Sequence, residues 1–221
     1  IIIKKMQINS KLPHIGTTIF TVMSGLAKEY NAINLSQGFP DFGCSPKLLE
    51  LAQKNLMAGF NQYAPMTGAQ PLRETISELL QNCYQATYHP ETEITITAGA
   101  TQGIYTSIAA FIHKDDEVIV FEPAYDCYIP AIEVHGGIVK PIALEYPNFT
   151  INWNAVKNTI TDKTRMIIIN SPHNPSGTTL LESDLLELQK IVAGTNIMVI
   201  SDEVYEHMVF DGKPHQSVAR F

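Results

Sequence analysis

Met166-Ile167-Ile168-Ile169-Asn170-Ser171-Pro172-His173-Asn174-Pro175-Ser176-Gly177 sets an apolar, largely β-branched run against a turn of Pro, Asn and Gly. Further along, Ile197-Met198-Val199-Ile200 runs into Ser201-Asp202-Glu203-Val204-Tyr205 in the same way. Each run reads as a buried strand. The first turn then delivers an amide, and the second a carboxylate and a phenol, at a strand's carboxyl end. Earlier β-branched runs lie at residues 94–97, 118–121 and 138–142, and helical spacing fills 102–112, 128–135, 153–159 and 183–192. Strands alternating with helices predict βαβ units, and so an α/β fold with a mostly parallel sheet covered on both faces. Ligands of such sheets sit outside the carboxyl ends of the strands.

Before Pro90 the pattern is helical. Ile19, Phe20, Met23, Leu26, Ala27 and Tyr30 share one face of a helix over residues 17–30. Residues 31–46, with Gly38, Pro40 and Gly43, read as an irregular connection. Ser45-Pro46 is an N-cap followed by proline at the first helical position, and Gly59 is placed as the stop. Another amphipathic helix covers residues 70–85, with Leu72, Ile76, Leu79, Leu80 and Cys83 on one side.

With 221 residues, 45% of them apolar, the chain can bury one substantial core, or form one large domain plus a fragment of another. A net charge of -7 without any basic stripe argues against nucleic-acid binding and against a polybasic membrane patch. The apolar runs are too short to span a bilayer. Cys44, Cys83 and Cys127 form neither a CxxC pair nor a disulfide framework, so a reducing, cytoplasmic setting is expected. The seven histidines form no HxxxH or HExxH cluster, and no metal site is expected. The chain opens on Ile1 rather than Met, so a start upstream is expected.

Three turns carry candidate chemistry. Thr97-Ala98-Gly99-Ala100-Thr101-Gln102-Gly103 joins a strand to a helix through small residues, and free amides at the helix start favour a phosphate. Packing alone also explains such a turn. In Phe121-Glu122-Pro123-Ala124-Tyr125-Asp126, Pro123 ends the strand and Tyr125 reaches the same sheet edge, either stacking on a flat ligand or capping the core. Asn174 is held between Pro172 and Pro175, although Asn-Pro-x-Gly is also an ordinary turn. Asp202 ends a buried strand, where a carboxylate costs several kcal/mol unless it is paired. A cationic heteroaromatic ring bearing an oxyanion would satisfy Asp202, Asn174 and Tyr205 together. The plain alternative is that Asp202 caps the next turn and Glu203 is solvated.

In this order along one chain, these motifs resemble the class I aminotransferases of the pyridoxal-phosphate-dependent aspartate aminotransferase family (fold type I). The resemblance runs from Lys11 to about Ala219. Gly16-Thr17-Thr18-Ile19-Phe20, Asn34-Leu35-Ser36-Gln37-Gly38-Phe39-Pro40-Asp41-Phe42, Asn61-Gln62-Tyr63-Ala64-Pro65 and Ile200-Ser201-Asp202-Glu203-Val204-Tyr205-Glu206-His207 are most similar to the methionine, glutamine and kynurenine aminotransferase group. Bacterial methionine aminotransferases are the nearest fit. The resemblance implies an amino-group transfer from methionine or a related apolar or aromatic amino acid to a 2-oxo acid, with pyridoxal 5'-phosphate as cofactor. A cysteine-conjugate β-lyase on the same scaffold, or a non-catalytic binding module, stays open.

By that resemblance Ala100 and Thr101 give backbone amides to the cofactor phosphate, and Tyr125 stacks on the ring. Asn174 and Tyr205 bond the ring's phenolic oxygen, and Asp202 pairs with its nitrogen. Tyr63 reaches the phosphate of a partner subunit, which implies a homodimer. Ile15, Gly38 and Asn174 help shape the substrate pocket. Residues 1–44 would be an arm belonging to a small domain, and residues 45–221 the front part of the large cofactor-binding domain. Two family parts have no match here, the Schiff-base lysine and the carboxylate-binding arginine. Lys213 lies too close to Asp202, and Arg73, Arg165 and Arg220 do not occupy family arginine positions. The last two strands of the family sheet, which run between its first and fifth, are also unmatched. The chain is therefore expected to be the front part of a longer enzyme and, alone, inactive.

Overall fold

The computed structural model describes residues 9–38 and 40–221. Phe39, within one of the stretches quoted above, and the opening Ile1-Ile2-Ile3-Lys4-Lys5 lie outside the described residues. Two compact units are present, Pro13–Met66 and a larger one formed chiefly by Thr67–Phe221.

In the smaller unit, helix α1 (Ile19–Glu29) starts at Thr18, whose Oγ1 accepts from the Thr21 amide at 3.3 Å. Helix α2 (Pro46–Met57) begins on a proline, whose missing N–H is not needed there, and Ser45 holds the N-cap position without a side-chain cap bond. Gly59 follows with φ +89°, the left-handed step expected past a helix end. Neither helix has a buried residue.

The larger unit runs α3 (Gln70–Tyr84), α4 (Ala100–Phe111), β1 (Glu117–Glu122), α5 (Tyr128–Val134), β2 (Ile138–Ala143), α6 (Trp153–Thr159), β3 (Thr164–Asn170), α7 (Glu182–Val192) and β4 (Met198–Asp202). Among the described residues the strands form one parallel sheet in the order β2-β1-β3-β4. The expected strand at residues 94–97 is not formed. The Ile96 amide reaches Thr67 O at 3.0 Å, but no described strand runs beside this segment, so its β-branched residues have no ladder to join.

Strand alternation divides the core cleanly. Val118 and Val120 of β1 and Met166 and Ile168 of β3 pack with Ile104 and Ile108 of α4 and Ile132 of α5. Their neighbours Ile119, Phe121, Ile167 and Ile169 face the other way, onto Val156 of α6 and Leu185 and Leu188 of α7. Strands β1 and β3 are buried on both faces, which is why they read as continuous apolar runs rather than as alternating ones. Among the described residues no helix is long and apolar enough to cross a membrane.

Gly137, between α5 and β2, shows how closely one layer sits on the next. A Cβ there would lie 2.7 Å from Ile112 Cγ2 and 2.8 Å from Ile132 Cγ2. Gly137→Ala is expected to destabilise the fold by about 1–3 kcal/mol through overpacking. A urea midpoint unchanged in that variant would show this layer to be looser than its contacts imply.

Candidate active site

The chain order creates a crevice at the sheet's carboxyl edge. From β1 the chain moves outward to β2, then returns to the other side of β1 as β3. The loops after β1 and β3 therefore diverge, and this reversal is where α/β sheets hold ligands. A cleft of about 190 Å³ opens there. Ala100, Thr101 and Ile104 line it from α4, Tyr125 from the loop after β1, Asn170 and Asn174 from the end of β3, and Asp202, Val204 and Tyr205 from the end of β4.

Parallel register sets Asn170 beside Asp202. Asn170 Nδ2 donates to the Asp202 carbonyl at 2.9 Å, and its Oδ1 accepts from the Asn174 amide at 2.8 Å. One side chain thus ties β3 to β4 and fixes where Asn174 is presented. Asn174 Nδ2 lies 3.5 Å from the Tyr205 hydroxyl. The amide and the phenol converge, as the spacing of two strand ends alone could not show.

Asp202 is 8% exposed. Its Oδ2 accepts from the Tyr128 hydroxyl at 2.5 Å and its Oδ1 from the Val204 amide at 3.2 Å. The second bond is the turn cap anticipated as the plain alternative, so Asp202 does that and faces the cleft as well. Among the described residues no Lys, Arg or His pairs with it. A buried carboxylate with two neutral donors and no cation remains short of countercharge. Tyr128 is itself buried, and burial, followed by its bond to Asp202 and that group's charge, pushes its hydroxyl well above the usual phenol range. It therefore stays a donor. Tyr128 also meets Tyr125 edge-on at 5.9 Å, which braces the ring that lines the cleft.

Glu203 is not solvated, contrary to the alternative reading. Its Oε1 accepts from Ser201 Oγ at 2.7 Å and the Val218 amide at 3.0 Å, and its Oε2 lies 2.8 Å from His215 Nε2. The Tyr84 hydroxyl donates to Glu206. The turn that carries Tyr205 is thus anchored at both ends, with Glu203 aimed away from the cleft side of Asp202.

Helix α4 starts at Gly99, whose φ of +85° no other residue adopts easily, with no side-chain cap. Among the described residues the Ala100 and Thr101 amides have no acceptor, and both residues line the cleft. Such a helix start suits an anion. Cys127 lies close by, but burial and the charges of Asp126 and Asp202 push its thiol up to about 11, so it is not a thiolate nucleophile. No group of three metal-ligating side chains occurs among the described residues.

Ala100, Thr101, Tyr125, Asn174, Asp202 and Tyr205 are therefore gathered in one place. Ile15, Gly38 and Tyr63 belong to the smaller unit, where Ile15 is 45% exposed and Tyr63 fully so. Lys213 sits in an exposed turn, and Arg73 is spent on the carbonyls of Gly68 and Pro90. Tyr128 and Asn170 were missed as site residues. A tyrosine opening a mostly apolar helix three positions after Tyr125, and a polar residue closing an isoleucine run, are the available signals.

Residues 30–221 match the family described as aminotransferase class I and II. A methionine aminotransferase of Escherichia coli is 49% identical over 95% of this chain and 54% of its own length. A probable N-succinyldiaminopimelate aminotransferase of Mycobacterium tuberculosis is 39% identical over 96% of this chain, again 54% of its own length. The crystal structure of an Escherichia coli protein with a methionine aminotransferase function superposes with a TM-score of 0.94 at 47% identity, covering 98% of this chain and 56% of that one. The chain spans about half the length of the curated relatives it matches.

Proposed function

The chain belongs to the class I and II aminotransferases, and from that premise we propose that the full-length protein moves an amino group from methionine, or a related apolar or aromatic amino acid, to a 2-oxo acid. The observation that carries this reading is the buried Asp202 carboxylate, which has no cationic partner among the described residues and faces a cleft edged by Asn174, Tyr205 and the start of α4. That donor set fits pyridoxal phosphate at every end: a carboxylate for a protonated ring nitrogen, an amide and a phenol for the ring oxygen, helix amides for the phosphate. Similarity to a methionine aminotransferase over nearly the whole chain supports methionine as donor.

When bound, pyridoxal phosphate supplies an electron sink for charge developed at the α-carbon of an amino acid. Asp202 would hold a proton on the ring nitrogen. Tyr128 and Val204 keep its two oxygens oriented for that task. Asn174 Nδ2 and the Tyr205 hydroxyl would donate to the ring oxygen and stabilise negative charge there, and the Ala100 and Thr101 amides would bind the phosphate. Tyr125 would cover one face of the ring.

By the family resemblance, Ile15, Gly38 and Asn174 would help shape the substrate pocket. Tyr63 would serve the phosphate of a partner subunit in a homodimer. Apolar residues exposed on the smaller unit, among them Leu26, Leu48, Leu49 and Phe60, support an assembly that covers them. The Schiff-base lysine and the arginine for the substrate carboxylate would come from the part of a full-length protein that this chain does not span. Three free cysteines support a reducing, cytoplasmic setting.

The test is product analysis. Full-length protein supplied with pyridoxal phosphate, methionine and a panel of 2-oxo acids is expected to yield the 2-oxo acid of methionine and the matching new amino acid. Pyruvate and a thiol from a cysteine conjugate, with no transfer from methionine, would instead establish the β-lyase.

A further inference from the structure

The ladder between β1 and β3 pairs residues only as far as Val120 and Ile168. Beyond it the two strands feed the loops that present Tyr125 and Asn174. Among the described residues a single hydrogen bond joins those loops, from the His173 ring to the Pro123 carbonyl. We propose that His173 is a positioning residue that clamps the turn presenting Asn174 to the loop presenting Tyr125, and so sets the width of the cleft; this rests on reading the cleft as a cofactor site.

His173 has the anchorage a clamp requires. Its amide donates to Thr178 O and its carbonyl accepts from the Gly177 amide, both at 2.8 Å, so its backbone closes the turn that contains Asn174. The ring reaches out with Nε2 2.9 Å from Pro123 O and Nδ1 2.7 Å from Ser176 Oγ. A carbonyl only accepts, so Nε2 carries the hydrogen. Nδ1 is then a lone pair, which shares the single Ser176 hydrogen with Thr178 Oγ1, 3.0 Å from Ser176 Oγ, and that oxygen in turn accepts from the Thr178 amide at 3.2 Å. Both ring nitrogens have a partner, and with Nε2 donating to Pro123 the neutral form offers Nδ1 as an acceptor. Pro123 stands two residues before Tyr125, so a shift at one end of the bond reaches both sides of the cleft.

The surroundings favour that neutral form. Phe121, Leu144, Phe149, Ile151 and Leu180 lie on the side of the turn away from the cleft. Burial lowers the ring below the ordinary histidine value of 6.5 and the bond to Pro123 opposes this in part, with no charged side chain among the described residues adding to either. The sign follows. Above 6.5 the ring is neutral whether the turn is closed or open. As pH falls below 6.5 the open turn takes a proton more readily than the closed one, so the clamp weakens down to the lowered value in the closed turn.

The test uses full-length protein in three forms. His173→Leu leaves Pro123 O and Ser176 Oγ without the ring and is expected to lower affinity for pyridoxal phosphate about tenfold. In the cofactor-free protein it is expected to speed amide hydrogen exchange across residues 171–180. His173→Gln can donate to Pro123 and accept from Ser176 but cannot titrate. It is expected to bind as the wild type does near pH 7.5 and to lack the extra loss that the wild type shows toward about pH 5.5. Unchanged exchange in His173→Leu, or parallel pH profiles for wild type and His173→Gln, would overturn the clamp. Wild-type protein that failed to bind pyridoxal phosphate would sink the cofactor reading instead, and the exchange data would still decide what His173 does.

Discussion

Asp202→Ala in the full-length protein is expected to reduce amino transfer by about a thousandfold or more and to weaken the hold on pyridoxal phosphate. Two consequences combine. The Tyr128 hydroxyl and the Val204 amide lose their acceptor, and the cleft loses the anion that would keep a ring nitrogen protonated. No neighbour can substitute. Glu203 is turned away toward Ser201, His215 and the Val218 amide, and Asp126 is exposed. Asp202→Asn separates the two consequences, because it keeps the shape and an acceptor oxygen but not the charge. It should retain the fold and still lose turnover. Steady-state rates near wild type in either variant would contradict the role given to Asp202.

Tyr128→Phe is expected to weaken pyridoxal phosphate binding by about ten- to a hundredfold, the range for losing one hydrogen bond to a charged group. Phenylalanine fills the same buried space against Ala131 and Ile132, so the change falls on the hydroxyl alone. Asp202 Oδ2 would then keep no donor among the described residues. The dissociation constant of the cofactor measures this directly. An unchanged value would show that Asp202 needs no support from Tyr128.

Much of the architecture is legible in local sequence because it depends on local rules. Residues 118–121 and 166–169 are apolar without interruption, and such runs belong to strands covered on both faces. Pro46 and Gly59 mark a helix start and stop through their backbone properties alone. The segment 94–97 shows the limit of that approach. Its composition suits a strand, but a strand also needs a neighbour, and composition says nothing of neighbours.

The site divides along similar lines. Asp202, Asn174 and Tyr205 stand out because each follows a strand, where the fold class places ligands. Tyr128 does not, since it opens a mostly apolar helix and its partner lies far off at position 202. Glu203 reads as solvated until His215 and Val218 are folded over it. Asn170 gains its role from a register shared with β4, which no pattern within β3 reveals. Ile15, Gly38 and Tyr63 were named through the family resemblance only, not through any spacing of their own.

The most direct measurement is a crystal structure of the full-length protein with pyridoxal phosphate bound. The ring nitrogen is expected within hydrogen-bond distance of the Asp202 carboxylate, with Asn174 and Tyr205 at the ring oxygen and the phosphate at the start of α4. A ring nitrogen turned toward solvent or another side chain, with Asp202 bonded only to Tyr128 and Val204, would contradict it.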